Sequence, residues 1–316
     1  MGAARRGTPG RLIAAAAALT AGVLLLPRVL PDAASGVGGL LETFLPWSWL
    51  VIVVLAALAL LRRSAVALGA VVLPVAAWAV LFGGLLLPVT GSTAHGLVVV
   101  NHNVSDENPD PAGTARAVAG AGADLVALQE LVPSAREVYA RVLADRYPHH
   151  TVHGTVGLWS RYPLRGADTV AVKPAGIPEP WSRGLRAVAR TPHGDVAVYV
   201  AHLPSVRLGA GGLAAKWRDE SARMLGDAIA AEEVARVVLL GDLNGTAGDR
   251  GLRPLTSRLE VAERGFAFSF PAGFPVVRID QVMARAAAVA EIRALPATGS
   301  DHRPVLGRVR WDGDRE

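Results

Sequence analysis

Six short polar motifs punctuate the C-terminal two-thirds of the chain: His102-Asn103-Val104, Gln129-Glu130, Ala201-His202-Leu203, Gly241-Asp242-Leu243-Asn244, Ile279-Asp280 and Ser300-Asp301-His302. Between them they supply carboxylates, amides and imidazoles, and most follow a short run of β-forming apolar residues. Each would therefore stand at the end of a buried strand, where loops can bring such groups around one point. The chain has no cysteine, which excludes disulfides, zinc–thiolate sites and cysteine nucleophiles. Carboxylates and neutral imidazoles without thiolates suit a hard divalent cation such as Mg²⁺ and a phosphate ester.

Each motif also has a structural reading. Asp242 and Asn244 follow the apolar run Val237–Leu240 and Gly241. Residues two apart share a face of a strand, so a carboxylate and an amide would point into one cleft, suited to orienting water and holding a phosphoryl oxygen. The same residues would serve as an Asx-turn after a buried strand. Glu130 could place a hard oxygen on a metal, or simply complement a helix N-terminus near Pro133 and Ser134. Asp280 could orient His302, fixing its tautomer and strengthening it as a base, while Asp301 binds metal or helps place it. Otherwise Ser300-Asp301-His302 is a surface turn. His202 is a second candidate imidazole, and His149, His150 and His153 read as a polar loop.

The elements that must hold these groups form a strand-rich pattern with interleaved helices. Strands are predicted at about 97–104, 125–128, 155–160, 185–190, 196–201, 237–240, 277–284 and 305–309. Helices are predicted at about 112–121, 134–143 and 214–231, the last with Trp217, Met224, Leu225 and Ala228 on one side. That alternation indicates an α/β layered sandwich of mixed sheets.

Taken together and in order, the motifs resemble the endonuclease/exonuclease/phosphatase superfamily, which includes deoxyribonucleases, apurinic-site nucleases, sphingomyelinases and inositol-polyphosphate phosphatases. The resemblance covers about Leu97 to Arg310. It is carried chiefly by Gly241-Asp242-Leu243-Asn244 and Ser300-Asp301-His302, with Asn103, Glu130 and Ser160-Arg161-Tyr162-Pro163 adding order. It implies an α/β fold, a four-layer sandwich of two mixed β-sheets flanked by helices, and Mg²⁺ (or Mn²⁺ or Ca²⁺) as cofactor. It also implies residue roles. Asn103 and Glu130 would lie at the metal with Asp301 nearby; Asp242 would orient or activate water. Asn244 and His202 would contact the scissile phosphate, and Asp280 and His302 would form a carboxylate–imidazole pair. His102 replaces the aromatic that many members carry before the asparagine. The stretch from Pro163 to Trp181 is short, rich in Pro and Gly, and lacks an obvious basic–aromatic insertion for gripping duplex DNA.

Ahead of this catalytic-type domain, placed at 96–312, residues 1–90 read as a membrane region. Three apolar segments, about 12–30, 44–61 and 65–89, approach the length of a bilayer-crossing helix. Six of the 32 basic and two of the 27 acidic residues precede His95, which leaves 26 against 25 beyond it, so most of the formal charge of +5 belongs to the membrane region. A near-neutral remainder counts against a large nucleic-acid footprint. Arg5, Arg6 and Arg11 before the first segment, and Arg62-Arg63 between the second and third, place those ends in the cytoplasm and the domain outside the plasma membrane. Cleavage of the first segment as a signal peptide, near Ala33-Ala34-Ser35, would leave that orientation unchanged. The expectation is a multi-pass, metal-dependent phosphoesterase acting on a lipid headgroup, nucleic acid or small phosphoester. A non-specific extracellular nuclease, and a non-catalytic scaffold retaining the fold, are the alternatives.

Overall fold

The computed structural model describes residues 8–26, 37–88, 96–178, 180–209 and 212–311. The chain divides into two compact units, Met1–Leu87 and Pro88–Glu316.

The first unit is helical: α1 (Thr8–Leu25), α2 (Val37–Phe44), a 3₁₀ turn (Leu45–Ser48), α3 (Trp49–Leu61) and α4 (Ala65–Leu86). Ala17, Leu24, Ile52, Leu55, Val71 and Ala77 pack α1, α3 and α4 together. Ser64 caps α4 by accepting from the Ala67 amide at 3.3 Å, and Trp78 Nε1 donates to the Pro46 carbonyl at 2.9 Å. Three crossing segments are expected from the sequence; among the described residues two helical stretches, Leu41–Leu61 and Ala65–Leu86, are long and apolar enough to cross a membrane. Among the described residues α1 runs from Thr8 to Leu25, and positions 27–30 of the expected first segment lie outside them. α4 ends before Pro88, since a proline disfavours helical backbone in the residue before it, and its C-cap Leu87 is already extended (ψ 142°). Ala33-Ala34-Ser35 lies outside the described residues.

The second unit begins with β1 (Leu97–Asn103), α5 (Pro111–Gly120), β2 (Leu125–Gln129), α6 (Pro133–Leu143), β3 (His149–His153), β4 (Val156–Ser160) and β5 (Leu164–Thr169). It continues with β6 (Gly184–Thr191), β7 (Gly194–His202), the short hairpin β8 (Arg207–Gly209) and β9 (Gly212–Ala214), then α7 (Lys216–Ala230) and β10 (Val237–Asp242). A short α8 (Arg253–Thr256) precedes β11 (Asp280–Arg285), β12 (Ala287–Ala294) and β13 (Val305–Trp311). Six strands form one sheet in the order β12-β13-β1-β2-β4-β3, and five form another in the order β11-β10-β7-β6-β5. Each sheet is mixed: β1 and β2 are parallel, as are β7 and β10, and the remaining pairs are antiparallel.

The layering follows from which residues each strand can bury. Val99, Leu125 and Leu158 of the first sheet meet Val198, Leu240 and Val282 of the second in a dry core. On the outer face of the six-stranded sheet, Val100, Val126 and Trp159 pack against Val118, Tyr139 and Leu143 of α5 and α6. Tyr199 and Leu239 of the five-stranded sheet pack against Leu225, Ile229 and Leu255 of α7 and α8. Strands buried on both faces read as unbroken apolar runs, as Val237–Leu240 does. The result is four layers, two sheets between two helical covers.

His149, His150 and His153 are not in a loop: they form edge strand β3, where His150 stacks on Trp159 with ring centroids 5.7 Å apart.

Candidate active site

The two parallel pairs end at the same place. In the first sheet Asn103 lies opposite Gln129; in the second Asp242 lies opposite both His202 and Asp280. Glu130 follows the end of β2 with a left-handed backbone (φ 59°), and Asn244 turns the chain after β10 in the same conformation (φ 48°). Non-glycine residues held there carry a cost of about 1–3 kcal/mol each, tolerated where the surroundings fix them. Gly241 serves a different need. A Cβ on it would lie 2.1 Å from the Ala201 carbonyl oxygen, so only glycine lets β10 approach β7 this closely just before Asp242.

Asn103 bridges the sheets. Its Nδ2 donates to Glu130 Oε1 at 3.0 Å and to Asp242 Oδ2 at 3.1 Å. Its Oδ1 accepts from the Ser105 amide, and the Asp106 amide donates to the other Glu130 oxygen at 3.1 Å. Ser300 ties the last motif to the same strand end: its hydroxyl donates to the Asn103 carbonyl at 2.7 Å and accepts from the His302 amide at 3.0 Å.

Two imidazoles flank Asp242 Oδ2, His202 Nε2 at 3.7 Å and His302 Nε2 at 3.8 Å. Arg183 Nη1 lies 3.2 Å from His202 Nδ1. A guanidinium can only donate, so Nδ1 accepts and the neutral ring carries its proton on Nε2. Burial, then the Arg183 charge, holds His202 well below its ordinary pKa and keeps it neutral. Nε2 finds no hydrogen-bond partner although it is buried; it is 3.7 Å from Glu130 Oε1 as well. It is a donor aimed into the cluster and unspent.

His302 is the opposite case. Burial pushes its pKa down, but the charge of Asp280 and a 2.8 Å bond to Asp280 Oδ2, with Asp242 and Asp301 adding, outweigh burial and raise it to about 10. The Phe270 ring covers it at 4.9 Å. Asp242 is raised to about 7, chiefly because burial penalises its charge, with His302 and the bonds from Asn103 and the Asn244 amide opposing.

Behind these groups lies a buried relay absent from the sequence reading. Gln129 Nε2 donates to Asn101 Oδ1 at 2.9 Å, and Asn101 Nδ2 to Asp280 Oδ1 at 3.4 Å. The signal was there: Asn101 and Asn103 stand two apart at the end of a strand that begins as an apolar run, on one face. His102, between them, faces the other way, and its Nε2 lies 3.0 Å from Thr298 Oγ1.

Asn103, Glu130, His202, Asp242, Asp280 and His302 thus converge. Asn244 is adjacent, but its Nδ2 braces the chain by donating to the Leu203 carbonyl at 2.9 Å. Asp301 is exposed and shares no hydrogen bond with Glu130 or Asn103; its Oδ1 is 3.5 Å from Ser300 Oγ.

The donor set fits a hard cation. Among the described residues no three His, Asp or Glu side chains are placed to enclose a metal ion, so any ion here would keep several waters. Mg²⁺ is held in that way, through one or two carboxylates. Glu130, partly open to solvent beside the Asn103 amide, is such a carboxylate.

The sequence profile of the endonuclease/exonuclease/phosphatase family matches residues 93–302, and the chain belongs to that family. Among solved structures, a mannosyl-6-phosphatase of Bacteroides thetaiotaomicron aligns over 68% of this chain and 100% of its own at 15% identity, TM-score 0.57. Sphingomyelinase C of Streptomyces griseocarneus aligns over 67% of this chain and 98% of its own at 21% identity, TM-score 0.53. A Staphylococcus aureus beta toxin mutant with bound magnesium ions aligns over 67% of this chain and 99% of its own at 16% identity, TM-score 0.52. At these identities the likeness is one of fold. No curated protein sequence matches.

Proposed function

We propose that the protein is a membrane-anchored, divalent-metal-dependent phosphoesterase, its catalytic unit outside the membrane, that cleaves a phosphodiester or phosphomonoester by in-line attack of water. One observation carries the reading: groups from β1, β2, β7, β10, β11 and the Ser300–His302 turn, distant in sequence, make a single buried cluster around Asp242. Family membership adds a phosphoester-hydrolase precedent.

Glu130 and Asn103 would hold the cation, with Asp301 at the rim. In the present network the Asn103 amide nitrogen faces the carboxylates, so its ligand role requires the opposite amide orientation; at a cation that exchange of O for N is driven by charge. A bound divalent cation supplies polarisation of the phosphoryl oxygens and stabilises leaving-group charge. The remaining work falls to side chains. His202 donates its free Nε2–H to a phosphoryl oxygen. Asp242, near 7, is matched to accept a proton from water at neutral pH. His302, held charged by Asp280, offsets negative charge gathering on the phosphoryl group. Asn244 has one amide N–H left for the phosphate.

Topology in the membrane unit supports an outward-facing domain. A Cβ on Gly10, at the start of α1, would meet Ser64 Oγ at 2.4 Å, so the first turn of α1 lies beside the α3–α4 turn. Arg11, Arg62 and Arg63 therefore gather at one end of the bundle, the cytoplasmic end by the positive-inside rule. The chain leaves α4 from the other. The proposed orientation is the same whether α1 crosses the bilayer or only packs along α4.

The full chain in detergent should hydrolyse members of a panel of DNA, RNA, sphingomyelin, phosphoinositides and nucleotide esters in Mg²⁺ but not in chelator. His302→Ala and Asp242→Asn should greatly reduce turnover while the domain stays folded. Normal hydrolysis of every ester by both variants removes the mechanism.

A further inference from the structure

Arg218 stands in the first turn of α7, and its side chain is only 3% exposed. Three acceptors surround the guanidinium. Nε donates to Asp219 Oδ1 at 2.6 Å, and Nη1 meets Asp249 Oδ2 at 2.8 Å and the Asn244 carbonyl at 3.0 Å. Two glycines make room for it. A Cβ on Gly245 would fall 2.2 Å from Nη1, and one on Gly251 would fall 2.8 Å from Nη2. Asp249 is fixed in turn by the Gly251 amide, which donates to its Oδ1 at 2.8 Å. The loop from Asn244 to Gly251 is therefore wrapped around one planar cation supplied by a helix.

What this cation holds is the turn after Asp242. Asn244 is fixed at three atoms: its amide donates to Asp242 Oδ1 at 3.0 Å, its Nδ2 to the Leu203 carbonyl at 2.9 Å, and its own carbonyl accepts from Arg218. The next carbonyl, that of Gly245, accepts from Gln281 Nε2 at 2.9 Å. The first two bonds tie Asn244 to the strand ends, while Arg218 and Gln281 hold the peptides that follow. The backbone needs that hold, because Asn244 is left-handed (φ 48°). The cost of that conformation is of the order of one charge-assisted hydrogen bond. Releasing the carbonyl is thus enough to let the turn relax and carry the side-chain amide away from Leu203. A buried ion pair is a weak source of stability, since desolvation offsets much of its attraction. Its distinctive contribution here is direction: a planar fork of donors grips a carboxylate and a carbonyl together, whereas an ammonium is a single point of charge.

We propose that Arg218 is a positioning residue for hydrolysis, which acts through the Asn244 carbonyl to keep the remaining amide N–H of Asn244 available to the phosphate beside Asp242. The proposal rests on the phosphoesterase reading, in which Asn244 meets that phosphate. Arg218 itself touches neither substrate nor metal.

The test uses the full chain in detergent micelles with Mg²⁺, bis(p-nitrophenyl) phosphate as diester and p-nitrophenyl phosphate as monoester. Arg218→Met should lower kcat about thirtyfold at nearly constant KM, the scale of one hydrogen bond to a charged group made in the transition state. Arg218→Lys should recover part of the loss. Exposed Arg223, ion-paired to Asp227 on the same helix, is the control, and Arg223→Met should leave kcat unchanged. Asn244→Gly keeps the left-handed turn without strain but removes the amide; on that background Arg218→Met should change kcat by less than about threefold. A kcat per folded molecule within about twofold of wild type in Arg218→Met, or losses that multiply in the double variant, overturns the proposal. A second readout needs no turnover. The asparagines of the chain are Asn101, Asn103, Asn108 and Asn244, so nitrogen-15 asparagine labelling gives an NMR spectrum in which Asn244 can be followed. Its side-chain amide signal should shift or broaden in Arg218→Lys and in Asp249→Asn while that of Asn108 stays. An Asn244 signal unmoved in both overturns the proposal, and these milder variants decide it if Arg218→Met does not fold. If the wild type hydrolyses neither these esters nor any natural ester of the panel, the phosphoesterase reading falls, and the Asn244 signal alone judges Arg218.

Discussion

Replacing Glu232 by Gln should destabilise the second unit by an amount that fades as the solution is acidified. Glu232 follows α7 and is almost wholly buried, its side chain 4% exposed. It accepts from Arg186 Nε at 2.9 Å and Nη2 at 2.8 Å, from Tyr199 Oη at 2.9 Å and from the Val234 amide at 2.9 Å. Burial pushes its pKa up, but the Arg186 bonds, the Val234 amide and Tyr199 together bring it from 4.5 down to about 2. A carboxylate whose folded pKa is depressed contributes stability above its unfolded pKa and loses it as pH falls through the folded one. That lowering, at 1.36 kcal/mol for each tenfold change in acidity, is worth about 3 kcal/mol at neutral pH and about 1.4 kcal/mol at pH 3. In a unit of this size that is a fall in Tm of about 6–12 °C at neutral pH. Urea unfolding of wild type and Glu232→Gln, followed by fluorescence of the buried Trp159 and Trp311 between pH 7 and pH 3, measures it. A difference below about 1 kcal/mol at pH 7, or one that does not shrink toward pH 3, would refute the reasoning.

Three further outcomes are expected. Asp280→Asn removes the anion that fixes His302 Nδ1 at 2.8 Å, so kcat should fall at least about a hundredfold with little change in KM, and the melting temperature should drop because a buried imidazolium loses its partner; a kcat loss under about threefold would exclude the pair from the reaction. Gly241→Ala drives a Cβ to within 2.1 Å of the Ala201 carbonyl and should lower stability by about 3 kcal/mol or abolish folding, read by thermal melting. Because the chain has no cysteine, single cysteines report topology cleanly. An impermeant maleimide should label Asp168→Cys on intact cells and Arg62→Cys only after permeabilisation, and the reverse pattern would invert the orientation.

Much of the site was legible because its residues obey local rules. Asp242, His202 and Glu130 each follow a short apolar run rich in β-branched residues or leucine that reads as a buried strand, and strand ends are where loops gather polar groups. What failed had no such signal. β12 reads Ala-Ala-Val-Ala-Glu-Ile-Arg-Ala, and alanine gives no strand preference; tertiary pairing with β13 decides it. β5 and β3 are edge strands with little apolar alternation. Arg183 was invisible for another reason. Its role depends on meeting His202 across the β6–β7 pair, and no spacing along the chain reports which side chains face each other over two strands.

The two histidines show why proximity alone does not define a catalytic group. Both place Nε2 within 3.8 Å of one carboxylate oxygen, and both are buried. Burial by itself would leave both neutral. The difference lies on the far side of each ring. His202 Nδ1 meets a guanidinium, which can only donate, so that ring is driven further from protonation and keeps a single N–H, on Nε2. His302 Nδ1 meets the Asp280 carboxylate, which can only accept, so that ring holds two protons and a charge. Environments that push equivalent groups apart in this way separate their tasks. Asp242 lies between a neutral donor and a cation, and its own burial leaves it able to take up a proton near neutrality. Exchanging Arg183 and Asp280 for neutral residues would erase that asymmetry even with both imidazoles held in place, which locates the reactivity of the cluster in the partners behind the rings as much as in the rings themselves.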